Sequence, residues 1–569
     1  MIARPEHPKP QFEREGWRNL NGEWDFSFDD GRSGLSRGMN KAGAVYEKKI
    51  VVPFCPESKL SGIGDVDFHA AVWYRRSFAL SKKDLAGRVL LHFGAVDYKC
   101  RVFVNETEVG GHQGGYVSFS LDITDAAKEG ENVLVVCCED DSRDPMIPSG
   151  KQSDRYESYG CYYTRTTGIW QTVWLEFAPE TRVLSTRYYP DAETASLTVQ
   201  ATLSGTADLS AVAAFEGREV GRTELKNVGG TVTFTLALSE KHLWEIGDGK
   251  LYDLVFTFGQ DRVKSYFGLR DVRMDGMKFR LNGRSIFQRL VLDQGFFPDG
   301  IYTAPSDEEL KNDILRSLAM GFNGARPHEK IFEERYLYHC DKLGYIVWGE
   351  YPNWGLDHTK PEAVYPILPE WIEEMNRDFN HPAIIGWCPF NETWDQHHCR
   401  QYDPLLSLVY RTTKAIDPTR PVIDTSGNFH VESDIHDVHD YEQKPDVMVE
   451  HFASLVKDGT YIEPMKRNER QPYTPGKPVF VSEYGGIGWS VDDSAWGYGN
   501  TPKSKEEFLA RLRGLTDALL DNPKIFAFCY TQLTDVEQEQ NGLYTYDRRP
   551  KFPPETIRPI FSKKAAIED

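Results

Sequence analysis

Two glutamates in matching settings carry the chemistry this sequence can offer. Glu392 follows the apolar run Ala383-Ile384-Ile385-Gly386-Trp387-Cys388, and Glu483 follows Pro478-Val479-Phe480-Val481-Ser482. Such short runs of β-branched, aromatic and aliphatic residues read as strands buried on both faces of a parallel sheet. A carboxyl group at the mouth of a buried strand loses hydration, which raises its pKa and equips it to donate a proton near neutral pH. Two such groups, one protonated and one ionised, are what cleavage of a glycosidic bond needs. The lesser alternative for Glu392 alone is a cap on the next helix, and Glu483 alone could be structural. The repetition of the plan, each time with aromatic residues and glycine nearby, favours chemistry.

The elements around them predict how the pair is positioned. From Trp17 to about Phe177 the chain alternates short strands with Gly and Asp turns, as in Gly22–Phe28, Val72–Phe78, Val89–Phe93 and Asn132–Val136. This predicts an antiparallel β-sandwich. From about Thr181 to Arg270 the β habit continues, and size and strand density fit an immunoglobulin-like sandwich. After Asp271 strands alternate with helices, which implies βα units and a parallel sheet. Eight strands are expected: 285–292, 324–326, 345–350, 384–390, 421–424, 447–450, 479–483 and 525–531. Helices are expected at 307–320, 332–343, 403–416 and 505–520. Eight units make a (β/α)8 barrel, whose site lies at the C-terminal ends of the strands. Glu392 then closes strand four and Glu483 closes strand seven, on opposite sides of one mouth. The expected domains are 1–180, 181–271 and 272–569.

Bulk properties narrow the partners. A chain of 569 residues is too long for one core. Its 13% aromatic content suits clefts where rings stack on apolar sugar faces. A net charge of −20 argues against nucleic acid and anionic membrane as partners. The N-terminal stretch has no apolar core and no run approaches transmembrane length, so a cytoplasmic location is expected. The nine cysteines, an odd number with several inside apolar strands, read as reduced core residues, and no spacing suggests zinc.

The segment ending in Asn391-Glu392, the segment Ser482-Glu483-Tyr484-Gly485, and Tyr163-Thr164-Arg165-Thr166-Thr167-Gly168-Ile169-Trp170-Gln171-Thr172-Val173-Trp174 together resemble glycoside hydrolase family 2, which contains β-galactosidases, β-glucuronidases and β-mannosidases. The resemblance spans nearly the whole chain, with the motifs in the family's order. It implies a jelly-roll first domain, an immunoglobulin-like second domain and a catalytic TIM barrel. It also implies an exo-acting, retaining double displacement, with Glu483 as nucleophile and Glu392, following asparagine, as acid/base. The residues by themselves permit the roles reversed.

Around the pair, Asn391 is expected to bond the sugar 2-hydroxyl, and Tyr441 to hydrogen-bond the nucleophile. Arg326 and His328 end strand two, where the family places an arginine and a histidine at the sugar, although spaced one residue wider. Arg326 alternatively pairs with Glu483 from beneath. Asp293 and Gln294 bind sugar hydroxyls or form a turn before Gly295, and Glu350 stands behind the first layer. Trp489 and Tyr530 are candidate stacking platforms.

Departures from the family bear on the sugar. Glucuronidases carry an Asn-x-Lys motif after strand eight that grips the substrate carboxylate; here Glu539-Gln540-Asn541-Gly542 has no lysine. Large β-galactosidases have a histidine soon after the nucleophile, where this chain has Gly486, and a first-domain aspartate where it has Tyr162 and Tyr163. A β-galactoside is the first expectation, with β-glucuronidase, β-galacturonidase and α-L-arabinopyranosidase activities as alternatives. Other classes left open are an inactive carbohydrate-binding protein and a metal-dependent hydrolase using His436 and His439. The expected partner is a small glycoside or oligosaccharide, with no cofactor and no metal; self-association into a homo-oligomer is left open.

Overall fold

The computed structural model describes residues 2–396, 398–462, 464, 470–490 and 495–569. The N-terminal part is a sandwich of two antiparallel sheets. One orders the strands Lys48–Val52, Gly22–Phe28, Ala71–Leu80, Gly130–Glu139, Lys99–Val104 and Thr107–Gln113; the other orders Trp17–Asn19, Val173–Ala178, Arg88–Phe93 and Phe119–Asp122. Alternation puts Trp24, Phe26, Tyr74, Leu91, Val102 and Val136 between the sheets as one core. A five-stranded antiparallel sheet follows, built on the long hairpin Ser196–Phe215 and Arg218–Ala237, with its own core around Leu197, Phe256 and Phe258. Buried Arg14 clamps the two parts, donating from Nε to Asp261 at 2.7 Å, from Nη1 to Glu176 at 2.5 Å and from Nη2 to the Val183 carbonyl at 2.6 Å.

The C-terminal part is a TIM barrel. Seven parallel strands form a continuous sheet that runs, in barrel order, through strand four (Ile384–Cys388), three (Ile346–Glu350), two (Gly324–Pro327), one (Gln288–Asp293), eight (Ile525–Thr531), seven (Val479–Gly485) and six (His436–Asp440). The segment 421–426 fills the gap between strands four and six: Trp387 bridges to Val422 and Asn391 to Ser426 in parallel. Helices Asp307–Met320, Asp403–Ile416 and Lys505–Leu520 fall where the apolar spacing predicts them. The barrel interior is filled by side chains, and Gly386 is one of its requirements, because a Cβ there would lie 2.4 Å from the Trp348 ring. No helix among the described residues is long and apolar enough to cross a membrane.

Strand six is not where the apolar run predicts it. Residues 447–450 lie inside the helix Pro445–Lys457, whose buried residues Met448, Phe452 and Leu455 recur at helical spacing behind Pro445. The strand is instead the polar His436–Asp440, paired in parallel with strand seven and buried at every position. Asp437, His439 and Asp440 are buried within a hydrogen-bonded network, which a hydrophobicity pattern cannot register.

Candidate active site

Glu392 and Glu483 share one site. Together with His439, each offers an atom within 4.8 Å of the others. The glutamate side chains are 18% and 6% exposed, so the pair opens to solvent mainly on the Glu392 side. Strand four supplies Asn391 and Glu392, and Glu392 leaves it with φ 43°, a left-handed conformation that costs about 1–3 kcal/mol in a non-glycine residue. Its backbone N–H is secured by the Ser426 carbonyl at 2.9 Å.

Glu483 is held on both oxygens. Arg326 Nη1 donates to Oε1 at 2.9 Å and Tyr441 Oη donates to Oε2 at 2.6 Å. Burial and the Glu483 charge push the Tyr441 phenol far up, so it stays a donor. Its ring is backed by Tyr498, stacked at 3.5 Å and 6°. A Cβ at Gly486, which has φ +59°, would lie 2.4 Å from Tyr498. Glycine there is required by packing.

Arg326 is 1% exposed and organises the floor. Besides Glu483 it donates to Glu350 through Nε and to Asn391 Oδ1 from Nη2 at 2.6 Å. It therefore orients the carboxylate and amide from beneath, the alternative that the sequence left open for it. With Oδ1 taken, Asn391 keeps a buried Nδ2 that has no partner among the described residues, a donor available to a sugar hydroxyl. His328 bonds Glu350 at 2.8 Å through Nδ1 and aims Nε2 at Glu483 Oε1 from 4.0 Å. Burial, with the charges of Lys151 and Arg326, drives its pKa well down, so the ring is neutral.

The electrostatics of Glu392 overturn one expectation. Burial does push its carboxyl up, but the hydrogen bond and charge of His439, helped by Lys151, outweigh burial and hold it at about 2. His439 Nδ1 donates to Glu392 Oε1 at 2.7 Å, and Nε2 meets Ser426 Oγ at 3.0 Å. Glycine at 427 makes room for this ring, since a Cβ would come within 2.2 Å of Nδ1.

Four residues expected at the site are engaged elsewhere. Asp293 spends Oδ1 on the Gly295 backbone at 2.9 Å, and burial beside Asp313 raises it to about 6, so it shapes the turn. Gln294 donates to Tyr163 Oη at 3.1 Å. Trp489 packs its indole against Phe508 and Phe552, at 5.7 and 5.5 Å, and Tyr530 is fully buried among Phe322, Tyr484 and Phe561. Tyr530 therefore presents no face to a sugar, and the Trp489 ring, partly buried, is packed against the Phe508 and Phe552 rings. His436 also sits apart, ringed by His430, Tyr461 and Tyr473. Glu392, His439 and Glu483 form the one group of three among the described residues that could hold a metal ion.

Several residues at the mouth escape sequence reasoning. His439 had a signal, the polar run His436–Tyr441. Trp354, Glu329 and Lys151 had none, being joined only by folding. Trp354 donates its indole N–H to the Asn391 carbonyl at 3.2 Å and its backbone N–H to Glu329 at 3.0 Å. An arch from the first domain, residues 149–164, crosses one side of the mouth. It is pinned by Ser149 and Gly150 N–H groups on the Trp354 carbonyl, at 2.8 and 3.0 Å, by Tyr163 Oη on Glu539, and by Trp496 and Gln538 on the Gly160 carbonyl, at 2.7 and 2.8 Å.

Comparison with known proteins agrees with this architecture. The family's sugar binding domain matches residues 62–176, its TIM barrel domain matches 305–490, and a third pattern described as glycosyl hydrolases family 2 matches 181–270. A β-galactosidase of Thermoanaerobacter pseudethanolicus is 26% identical over 384 residues, covering 62% of this chain and 48% of the relative, so the chain spans about half that relative's length. A β-glucuronidase of Streptococcus agalactiae is 23% identical over 538 residues, covering 85% and 87%. The solved β-glucuronidase of Ruminococcus gnavus with D-glucuronic acid shares the fold, with a TM-score of 0.81 at 19% identity over 98% of this chain and 100% of that one. The chain belongs to glycoside hydrolase family 2.

Proposed function

We propose that the protein is a retaining exo-β-glycosidase in which Glu483 attacks the anomeric carbon and Glu392 handles the proton. The observation that carries this reading is the spacing of the two carboxyl groups, with an oxygen of each within 4.8 Å of the other. Retention uses carboxyl groups about 5–5.5 Å apart, whereas inversion needs about 6.5–9.5 Å to admit a water. Nucleophile and acid are also distinguished by their surroundings. Glu483 accepts from Arg326 and Tyr441, contacts that fix a carboxylate for attack. Glu392 is the more exposed and bonds the histidine.

Because Glu392 rests ionised, its acid proton is supplied across the 2.7 Å bond from His439 Nδ1 as the leaving oxygen docks. Glu392 transfers that proton to the leaving oxygen while Glu483 forms the glycosyl ester. It then takes a proton from the water that attacks the ester and returns it to His439 Nδ1, which restores Glu392, Glu483 and the histidine. The unpaired Asn391 Nδ2 is placed to bond the sugar 2-hydroxyl. The arch 149–164 narrows the mouth and supports action at a chain end.

NMR of the first-formed product tests the reading. A β-glycoside should release the β-anomer before mutarotation; α-anomer released first would sink it. A metal-dependent route through Glu392, His439 and Glu483 predicts instead that exhaustive chelation abolishes turnover.

A further inference from the structure

Within the arch lies a cation whose charge helps keep Glu392 ionised but to which the mechanism gives no other part. Lys151 is 5% exposed and sits with Nζ 3.5 Å from the centre of the Trp354 ring. That same indole bonds the Asn391 carbonyl, so the ammonium stands beside the residue preceding the acid/base. It is fixed rather than trailing. The Lys151 carbonyl accepts from Tyr163 N–H at 2.8 Å, and Gly150 (φ +56°) packs so closely that a Cβ there would lie 2.3 Å from the Glu329 carbonyl. Among the described residues Nζ has no hydrogen-bond acceptor and no carboxylate oxygen within 4.0 Å. Nearby Glu329 gives Oε2 to Trp354 N–H at 3.0 Å and keeps a buried Oε1 without a partner among the described residues, and Glu539 is engaged with Tyr163 and Asn541. Burial pushes both carboxyls up, away from the ionised form that would neutralise a lysine. Burial opposes the charge on this ammonium, but the nearby acidic groups Cys161, Glu329, Glu539 and Glu392 outweigh it and raise its pKa; none pairs with it directly, so its N–H groups are open to the anion of a ligand.

We infer that Lys151 is a carboxylate-binding residue of this site, selecting glycosides that bear an acid group. The inference rests on the proposed glycosidase reading and names its substrate class. It also relocates the cation. The loop after strand eight offers Glu539 and Asn541, and Asn541 is spent on Gln532 and Glu539. The positive charge reaches the pocket from the N-terminal domain instead. The acid group belongs either to the sugar, as in a uronide, or to the leaving group on the Glu392 side.

Matched substrate pairs separate these sources. 4-Nitrophenyl β-D-glucuronide and β-D-galacturonide are compared with the glucoside and galactoside, and 4-carboxyphenyl glycosides with their 4-methoxycarbonylphenyl counterparts. Wild-type enzyme should prefer the charged member of one pair. Lys151→Met should lower that charged-to-neutral kcat/KM ratio about 10- to 100-fold, mainly through KM, and Lys151→Arg should restore most of it. Wild-type preference for the neutral member throughout overturns the inference, as does a ratio unchanged in Lys151→Met. If no glycoside is cleaved, the glycosidase reading falls, and the lysine is judged by binding. Glucuronate or galacturonate should then raise the Tm of the wild-type protein more than glucose or galactose; equal shifts overturn the anion site.

Discussion

His439 Nδ1 lies 2.7 Å from Glu392 Oε1 and 3.4 Å from Glu483 Oε2, so one ring nitrogen serves both carboxyl groups. With the carboxyl of Glu392 held at about 2, burial alone does not create the acid; the histidine determines where the proton rests. In His439→Asn the hydrogen bond and charge that lower Glu392 are gone and burial is left as the largest influence, so its carboxyl should titrate well above 2. Infrared difference spectra against Glu392→Gln would follow that carboxyl with pH. An unmoved titration would contradict the pairing.

The two glutamates should fail differently. Glu483→Gln should lose at least about 10⁴-fold in kcat on every substrate, since no nucleophile remains. Glu392→Ala should slow substrates with poor leaving groups about 10²–10⁴-fold and spare activated aryl glycosides in the glycosylation step, because good leaving groups need no proton. Presteady-state rates across a leaving-group series check this, and equal losses throughout would reverse the assigned roles.

Arg326 answers three side-chain acceptors from within the barrel, Glu350, Glu483 and Asn391, and the Ser482 carbonyl. Arg326→Met leaves them uncompensated and should cost about 3–5 kcal/mol of stability. Chemical denaturation would measure that loss. A variant as stable as wild type would mean that the carboxyls are neutral without their arginine.

Tyr441→Phe removes the 2.6 Å donor to Glu483 and the 2.9 Å contact with Thr531 while leaving the ring stacked on Tyr498. Folding should change by no more than about 1.5 kcal/mol, and kcat should fall about 10- to 100-fold. A variant with unaltered kcat would show that Arg326 suffices to orient the nucleophile.

Glu57, buried in the first domain, offers a test by pH. Burial raises its carboxyl from 4.5 to about 7. The folded state therefore keeps a proton that the unfolded chain releases above pH 4.5, and stability from this group falls as pH rises from about 4.5 to 7. Glu57→Gln should escape that loss, gaining on wild type by about 1–3 kcal/mol between pH 5 and pH 8. Thermal melts at the two pH values provide the measurement; a constant difference would argue against the shift.

The β-sandwich parts followed by a barrel, and the two carboxyls that meet at its mouth, were readable from residue patterns because each depends on local chemistry. Alternating strands bury one face, and an apolar run that ends in a glutamate at a barrel mouth leaves that carboxyl in the cleft. Asp403–Ile416 and Lys505–Leu520 were likewise legible from helical spacing. Strand six was not, because His436–Asp440 is buried through hydrogen bonds with partners from other strands, so its polarity concealed it. Trp489 and Tyr530 looked like sugar platforms by their positions, yet the neighbours that cover them come from distant helices.

What folding alone decided was electrostatic. Burial, legible from the strand, raises the carboxyl of Glu392; the charges of His439 and Lys151 lower it, and they arrive from another strand and another domain. Coulomb energy depends on distance in space, and Lys151 stands 241 residues from Glu392 in sequence while its charge reaches that carboxyl. The sequence determined which groups can react. The tertiary structure set their charges and placed an unpaired cation beside them.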